Sequence, residues 1–172
     1  MANPLHDASC QRNQDYLEGI LKAANDGIWD YDLESDSFQY SDRWAEMLGY
    51  RQGEVSDFGC FCVDHIHPDD LERFQTAYRD YVEGRSASYE IEFRLRTKGG
   101  DYTWIYSRGR ALRRNGDGRA LRIVGAHTDI TARKLVEEKL RESEKRYRDL
   151  FETAPVGVFR SSPQGRYLSI NP

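Results

Sequence analysis

The sequence predicts an α+β domain built on a five-stranded antiparallel sheet, with helices that cover one face of the sheet. Three observations point to this fold class. A strictly alternating strand segment runs from Tyr89 to Arg96, two glycine-containing turns follow it at residues 98–101 and 115–118, and an amphipathic helix precedes it. Strands joined by short turns pair as antiparallel neighbours.

The N-terminal part predicts a helix, a hairpin and several short helical turns. Residues 9–24 have amphipathic spacing, with an apolar stripe of Leu17, Ile20, Leu21 and Ala24. Residues 28–33 and 38–41 are strand candidates on either side of a polar turn. Residues 42–66 contain three glycines and irregular apolar spacing, so short helical turns fit this segment better than one long element.

A longer helix begins at His67-Pro68-Asp69-Asp70. Proline suits the first turn of a helix, and carboxylates are favourable at the positive end of the helix dipole. The predicted buried stripe consists of Leu71, Phe74, Tyr78, Tyr81 and Val82.

Three strands complete the sheet, at residues 89–96, 102–112 and 121–130. In the first of them, apolar residues alternate with charged ones, so one face is buried and the other faces water. In the second, the pattern leaves open whether Trp104 or Ile105 points inward.

Composition narrows the class of function. The 172 residues carry 25 Lys and Arg against 29 Asp and Glu, a net charge of −4, so a general affinity for nucleic acid is not expected. No run of apolar residues is long enough to span a membrane, and the start lacks the plan of a signal peptide, so we expect a cytoplasmic protein. Cys10, Cys60 and Cys62 are an odd number of cysteines, which favours reduced thiols over a disulfide framework.

An internal repeat indicates more than one unit. Residues 20–29 align with residues 150–159, at an offset of 130. The second copy stops early, so we expect the chain to be a fragment of a longer protein. Its strands, at residues 156–160 and 167–170, lack the rest of a sheet, and we expect them to be disordered or to pair with the edge of another chain.

A polar helix connects the two copies. Its apolar and small residues recur four and three positions apart and form a candidate dimer seam of Val136, Leu140, Ser143, Tyr147 and Leu150. A homodimer through the flanking helices is therefore expected. The polar Ser143 at a core position makes the seam weak, which suits a two-state element.

Five segments, in this order, share their composition with a known family of sensor domains. They are Ala24–Asp30, Trp44–Tyr50, Ile66–Asp70, Gly99–Trp104 and Asp129–Thr131. In these segments the chain resembles the PAS sensor family, in the variety with a C-terminal PAC segment. The resemblance implies an N-terminal flanking helix (1–19), a PAS/PAC domain (20–131), a signalling helix (132–149) and the start of a second PAS domain (150–172).

The resemblance also implies a function. A PAS domain encloses a pocket for a small-molecule ligand, and the step Asp129-Ile130-Thr131 resembles the junction that passes the state of the pocket to the next helix. We expect a sensory and dimerisation module that acts on a downstream output domain, a histidine kinase or, alternatively, a diguanylate cyclase or phosphodiesterase. We expect no catalysis by this chain.

The pocket candidates are apolar and aromatic residues with a few hydroxyl groups. They are Ile28, Trp29, Tyr31, Tyr40, Trp44, Met47, Leu48, Phe61, Ile66, Phe74, Tyr78, Phe93, Trp104 and Val124. The same set also fits a plain packed core, and the sequence leaves both interpretations open.

For several residues, a metal or cofactor site competes with a purely structural role. A small metal-binding or enzymatic domain with His65, His67, Asp69 and Asp70 competes with simple helix capping. Haem on His65 is not expected, because its surroundings do not resemble haem-binding PAS motifs. Flavin is not expected either, because Cys60 and Cys62 lie in Gly-Cys-Phe-Cys-Val-Asp rather than in the Asn-Cys-Arg-Phe-Leu-Gln of flavin photoreceptors.

Two further motifs favour structural roles. Gly99-Gly100-Asp101 resembles a cyclase signature but lies in a predicted hairpin turn. Eight arginines cluster in the last three strands, where contact with phosphates competes with a solvated or inter-domain face: Arg94, Arg96, Arg108, Arg110, Arg113, Arg114, Arg119 and Arg122.

Overall fold

The computed structural model describes residues 25–55, 58–154 and 156–170, together with positions 19 and 23. The chain divides into two compact units, Met1–Thr131 and Ala132–Pro172, which are described separately. The predicted N-terminal helix lies almost entirely outside the described residues.

The described residues of the first unit, from residue 25 onward, form a five-stranded antiparallel sheet and three helices. The elements are β1 (Gly27–Asp32), β2 (Ser37–Tyr40), α1 (Asp42–Met47), α2 (Phe58–His65), α3 (Pro68–Val82), β3 (Tyr89–Arg96), β4 (Tyr102–Arg114) and β5 (Ala120–Asp129). The strand order is β2-β1-β5-β4-β3. Trp44 of α1, Phe61 of α2 and Phe74 of α3 pack with one face of the sheet into a single apolar core, which confirms the predicted fold class.

Two helices begin at side chains that cap their first turns. The Ser41 hydroxyl accepts a hydrogen bond from the Trp44 N–H and caps α1. The His67 ring accepts one from the Asp69 N–H and caps α3, with Pro68 in the first turn. The capping interpretation of His67 is therefore confirmed.

The strand register decides which side chains of β4 face the helices. Phe93 pairs with Ile105, and both side chains are fully buried. Trp104 therefore points to the opposite face, where the Arg94 guanidinium lies 5.2 Å from the centre of its ring. The inclusion of Trp104 among the pocket residues is wrong, because neighbouring residues of a strand face opposite sides.

Ile28 and Val124 need the same correction. Trp29 of β1 and Ile123 of β5 are buried, with 2% and 1% of their surface exposed. Ile28 pairs with Ala126 in the β1–β5 register and, like Val124, lies half-buried on the outer face of the sheet. Neither residue faces the helices.

The second unit consists mainly of one long helix and one hairpin. Helix α4 (Thr131–Thr153) starts at the last residue of the first unit, and β6 (Phe159–Ser161) and β7 (Tyr167–Ile170) follow it. These two strands pair with each other, which differs from the expectation of disorder or of pairing with another chain. Helix α4 is long but carries many charged residues. None of the helices in the described residues is both long and apolar enough to cross a membrane.

All five residues of the candidate dimer seam are exposed on α4 within this single chain: Val136, Leu140, Ser143, Tyr147 and Leu150. Four of the five are large apolar side chains. An exposed apolar stripe on an otherwise charged helix is typical of a surface that pairs with another helix.

Candidate ligand cavity and helix junction

One row of side chains crosses the inner face of the sheet and fills its centre. In register across the strands stand Tyr40, Trp29, Gly125, Gly109 and Tyr89. The Trp29 indole lies over both glycines and meets the Tyr89 ring edge-on, with 6.2 Å between centroids. The glycines are required here, because a Cβ atom at Gly125 would lie 2.2 Å from the indole and one at Gly109 would lie 2.9 Å from it.

The next row places a histidine inside the core. His127 is 2% exposed, and its Nδ1 accepts a hydrogen bond of 2.9 Å from the Trp44 Nε1–H. The rings of Trp29, Trp44 and Phe93 surround it at centroid distances of 5.9, 6.0 and 5.8 Å. Burial lowers the pKa of His127 to about 3. The imidazole is therefore neutral at physiological pH, with its proton on Nε2.

We expect the free energy of unfolding to fall as the pH drops below about 6.5 because of His127. In the unfolded chain this residue takes up a proton at its ordinary pKa, whereas the folded protein binds that proton only near pH 3. The unfolded state binds more protons within this window, so the loss approaches about 1.4 kcal/mol per pH unit. Urea unfolding between about pH 7 and pH 5 measures the slope. His127→Gln should flatten it, and equal slopes in the two proteins would contradict this account.

A cavity of about 590 Å³ lies beside the filled centre, between α3, the end of β1 and the turn before β5. It is lined by Tyr31, Leu33, Cys62, Phe74, Gln75, Tyr78, Arg79, Val82, Glu83 and Arg119. The volume falls within the range of about 300–1,000 Å³ that is typical of small-molecule sites. Most of the lining comes from one face of α3, because its members are three or four residues apart.

Two buried groups in the lining of the cavity carry protons. The Tyr78 hydroxyl is buried and has no hydrogen-bond partner among the described residues. Burial raises the pKa of Tyr78 and the pKa of the Cys62 thiol, so both keep their protons at neutral pH. The cavity therefore presents a hydroxyl donor to anything that enters it.

The predicted pocket residues separate into three groups. Tyr31, Phe74 and Tyr78 line the cavity. Trp29, Tyr40, Trp44, Met47, Leu48, Phe61, Ile66 and Phe93 belong to the packed core around it, and Ile28, Trp104 and Val124 lie on the outer face. The sequence leaves two interpretations open, a pocket and a packed core. Each applies to different members of the predicted pocket residues.

Several lining residues were absent from the predicted set: Leu33, Cys62, Gln75, Arg79, Val82, Glu83 and Arg119. The helical spacing around Tyr78 was a usable signal for Gln75, Arg79 and Val82 on α3 and for Glu83, which directly follows its last residue. No local pattern indicates Leu33 or Arg119. They reach the cavity because β1 and β5 are neighbours, with the Leu33 N–H bonded to the Leu121 carbonyl at 2.9 Å.

The junction between the sheet and α4 is closed by hydrogen bonds. The Asp129 carboxylate accepts from the Thr131 N–H at 2.8 Å, in the first turn of α4. The Thr131 hydroxyl accepts from the Trp104 N–H at 2.9 Å and lies 3.1 Å from the Thr103 hydroxyl. Ile130 is buried, and its N–H donates to the Trp104 carbonyl at 2.9 Å. The three predicted relay residues are therefore tied to β4.

A buried carboxylate joins α3 to the same strands. Asp70 accepts hydrogen bonds from the Arg94 N–H at 2.9 Å, from Arg94 Nε at 2.8 Å and from Arg73 at 3.3 Å. Burial alone would raise the pKa of Asp70, but the hydrogen bonds from Arg94 and Arg73 outweigh it and lower this pKa. Since the Arg94 guanidinium also lies over Trp104, contacts run without interruption from the first turn of α3 to the residue that holds Thr131.

The histidines proposed as metal ligands have other partners. His65 Nδ1 lies 2.9 Å from the Phe61 carbonyl, and Nε2 lies 3.2 Å from the Tyr50 hydroxyl. The His65 ring also stacks on Phe61, with 4.0 Å between centroids. In the described part of the chain, no three His, Cys, Asp or Glu residues form a group that could hold a metal ion. The metal-binding alternative therefore has no support in the geometry.

Comparison with known proteins decides the family. Residues 37–127 match the family model of the PAS fold. The chain belongs to the PAS fold family. A second model, described as a PAS domain, matches residues 145–172.

Several relatives of this PAS protein are sensors. It is 31% identical over 129 residues to the sensor protein FixL of Bradyrhizobium diazoefficiens and 33% identical over 122 residues to the two-component sensor PprA of Pseudomonas aeruginosa, matching 75% and 70% of the present chain. It spans 25% and 13% of the length of these relatives. A sensory box histidine kinase/response regulator structure from Burkholderia thailandensis is 35% identical, with a TM-score of 0.67, over 78% of this chain and 98% of that one. The predicted class, a sensory signalling module, is confirmed.

Some relatives respond to light, which raises the question of whether the residues of this domain could hold a flavin. A blue-light-activated histidine kinase of Brucella anthropi is 24% identical over 127 residues. In this PAS domain, the Trp29 indole covers the centre of the inner sheet face, and the facing positions of β4 and β5 carry Ser107, Gly109, Gly125 and His127, without an amide side chain. These residues do not fit a flavin. Haem on His65 does not fit either, because both ring nitrogens have protein partners.

Proposed function

We propose that this PAS domain is a small-molecule sensor, in which the occupancy of the cavity is transmitted through α3 and the Thr131 junction to α4. The observation that carries the proposal is the continuous set of contacts from α3 through Asp70, Arg94 and Trp104 to Thr131. The cavity is lined by the same helix that supplies Asp70.

For the occupancy of the cavity to be transmitted, the ligand must bind two conformations of the domain with different affinities. Phe74 and Tyr78 line the cavity one and two turns after Asp70, so a ligand that displaces α3 also displaces the Asp70 carboxylate. The Asp70–Arg94 contacts are short and directional, so a displacement of Asp70 also moves Arg94 and the Trp104 ring beneath it. The backbone of Trp104 holds both Ile130 and Thr131, which start α4.

We infer that α4 leads to an output domain of histidine-kinase type and that the chain described here is not itself an enzyme. The sensor relatives support this assignment. Two copies associate through the exposed seam of α4, because a partner helix would cover Val136, Leu140, Tyr147 and Leu150. The polar Ser143 keeps this pairing weak enough to change with the state of the cavity.

Filling the cavity tests the proposal. Cys62→Met extends a lining side chain into the space, and it should change the hydrogen exchange of the amides at residues 129–136 several-fold and shift the dimer dissociation constant. Exchange is followed by mass spectrometry, and dimerisation by sedimentation equilibrium of the whole chain. Leu112→Met is the matched control, because Leu112 is an exposed residue of β4 outside the cavity.

Ser143→Leu separates the dimer seam from the cavity. It should tighten the dimer at least tenfold, because an apolar side chain replaces a hydroxyl at a core position of the seam. A correctly folded Cys62→Met protein with unchanged exchange and dimerisation would refute transmission from the cavity. An unchanged dimer in Ser143→Leu would show that α4 is not the interface.

A further inference from the structure

The lining of the cavity includes a hydroxyl group that lacks a hydrogen-bond partner. The Tyr78 hydroxyl is buried and has no partner among the described residues. Leaving a buried hydroxyl without a hydrogen bond is unfavourable, so it indicates a group that a ligand completes. Arg119 lines the same cavity.

The charged lining residues leave an excess of positive charge. Arg79 and Arg119 both line the cavity. Neither forms an ion pair within the described part of the chain. Glu83 also lines the cavity, but its carboxylate is paired with Arg85. Two guanidinium groups therefore belong to the lining, and the only carboxylate among the lining residues already has a partner.

Other arginines of the sheet are used differently. Arg94, Arg108 and Arg122 pair with Asp70, Asp26 and Asp30 at 2.8, 2.9 and 2.6 Å. These arginines have their charge compensated within the fold. The pair at the cavity does not, so an anion that enters the cavity would meet cations that have no competing protein carboxylate.

Much of the remaining wall of the cavity is apolar. Leu33, Phe74 and Val82 line it together with the ring of Tyr31. A small hydrocarbon or aromatic body fits such walls, whereas a compact, fully hydrated anion such as inorganic phosphate would leave them in contact with water.

We propose that the cavity binds a small amphiphilic carboxylate, with its apolar body against Phe74 and Val82 and its carboxylate between the Tyr78 hydroxyl and the Arg119 guanidinium. Arg79 adds a second positive charge to the lining. Two donors on two carboxylate oxygens give the ligand one orientation. This inference rests on the proposed function and specifies the class of molecule that the sensor detects.

Three probes with the same apolar body test the ligand class: 4-phenylbutyrate, 4-phenylbutan-1-ol and 4-phenylbutylamine. Each is titrated into the 15N-labelled 172-residue chain, and the amide shifts of residues 31–33, 74–83 and 119 report on the cavity. The carboxylate should bind about tenfold more tightly than the alcohol, and the amine most weakly, because charge-assisted hydrogen bonds are the strong ones.

The variants assign the effect to named residues. Arg119→Gln should reduce the affinity for 4-phenylbutyrate to about that for the alcohol, and Tyr78→Phe should weaken it several-fold. Arg110→Gln is the matched control, because it removes the same charge from the outer side of the sheet, where Arg110 is exposed. Dispersed amide spectra establish that each variant is folded.

The outcomes separate this inference from the proposed function. Equal binding of all three probes in the cavity, no binding by any of them up to about 10 mM, or an undiminished affinity in Arg119→Gln would overturn the ligand class. Charge-selective binding that leaves the exchange of residues 129–136 unchanged would support the ligand class and count against the transmission to α4.

Discussion

Gly125→Ala is expected to destabilise the domain by about 3 kcal/mol or more, a large fraction of the stability of a typical domain. The new Cβ atom would lie 2.2 Å from the Trp29 ring and 2.4 Å from the Arg108 carbonyl oxygen. The second contact is with the backbone of the neighbouring strand, so relief requires β4 and β5 to separate. Chemical unfolding followed by circular dichroism measures the loss.

Two further glycine variants control for this result. Gly116→Ala lies in open space and should change the free energy of unfolding by less than about 0.5 kcal/mol. Gly109→Ala meets only side chains, chiefly that of Trp29, so its cost should shrink in a Trp29→Phe background. The cost of Gly125→Ala should persist there, because the Arg108 carbonyl remains. A tolerated Gly125→Ala protein with native spectra would contradict the packing described for this row.

Asp70→Ala is expected to cost about 2–3 kcal/mol of folding free energy. Its side chain is 8% exposed and is the common acceptor for Arg94 and Arg73, so its removal leaves partly buried guanidinium groups and the Arg94 N–H without their partner. The expected loss of folding free energy is smaller than for breaking a fully buried ion pair, because 26% of the Arg94 side chain is exposed to solvent.

The neighbouring carboxylate provides the control for Asp70→Ala. Asp69 has the same charge and lies in the same helical turn, but 72% of its side chain is exposed, so Asp69→Ala should cost about 0.5 kcal/mol or less. The Asp70 contribution should also disappear in acid. The pKa of Asp70 is lowered in the folded state, so its stabilisation is present above the ordinary carboxyl pKa and is lost as the pH falls below it. Equal losses in the two variants would contradict the role given to Asp70.

The elements whose sequence contrasts sharply were predictable. In β3, apolar residues alternate with charged ones, and the burial alternates in the same way. The start of α3 was equally clear, because Pro68 and two aspartates fit only a first turn. In both cases, residues close together in the chain favour the observed structure, so the prediction does not depend on distant contacts.

The inward face of a strand was not predictable where two apolar residues are adjacent. Trp104 and Ile105 are both apolar, and only the pairing of Ile105 with Phe93 decides that Ile105 is buried. The same ambiguity affects Ile28 beside Trp29, where the space above Gly125 and Gly109 admits the indole on the inner side. Such choices depend on the register with strands far away in the sequence.

The sequence by itself determined the α+β fold class, the start of α3, the cap at the Asp129–Thr131 junction and the apolar stripe along α4, because alternation, capping and heptad spacing act between residues close in the chain. Only the tertiary structure decided that aromatic rings fill the centre of the sheet, and that the cavity lies beside α3 with Tyr78 and Arg119 in its lining. A cavity is the volume that packed side chains leave empty. Its position therefore depends on the sum of many distant contacts rather than on any local pattern.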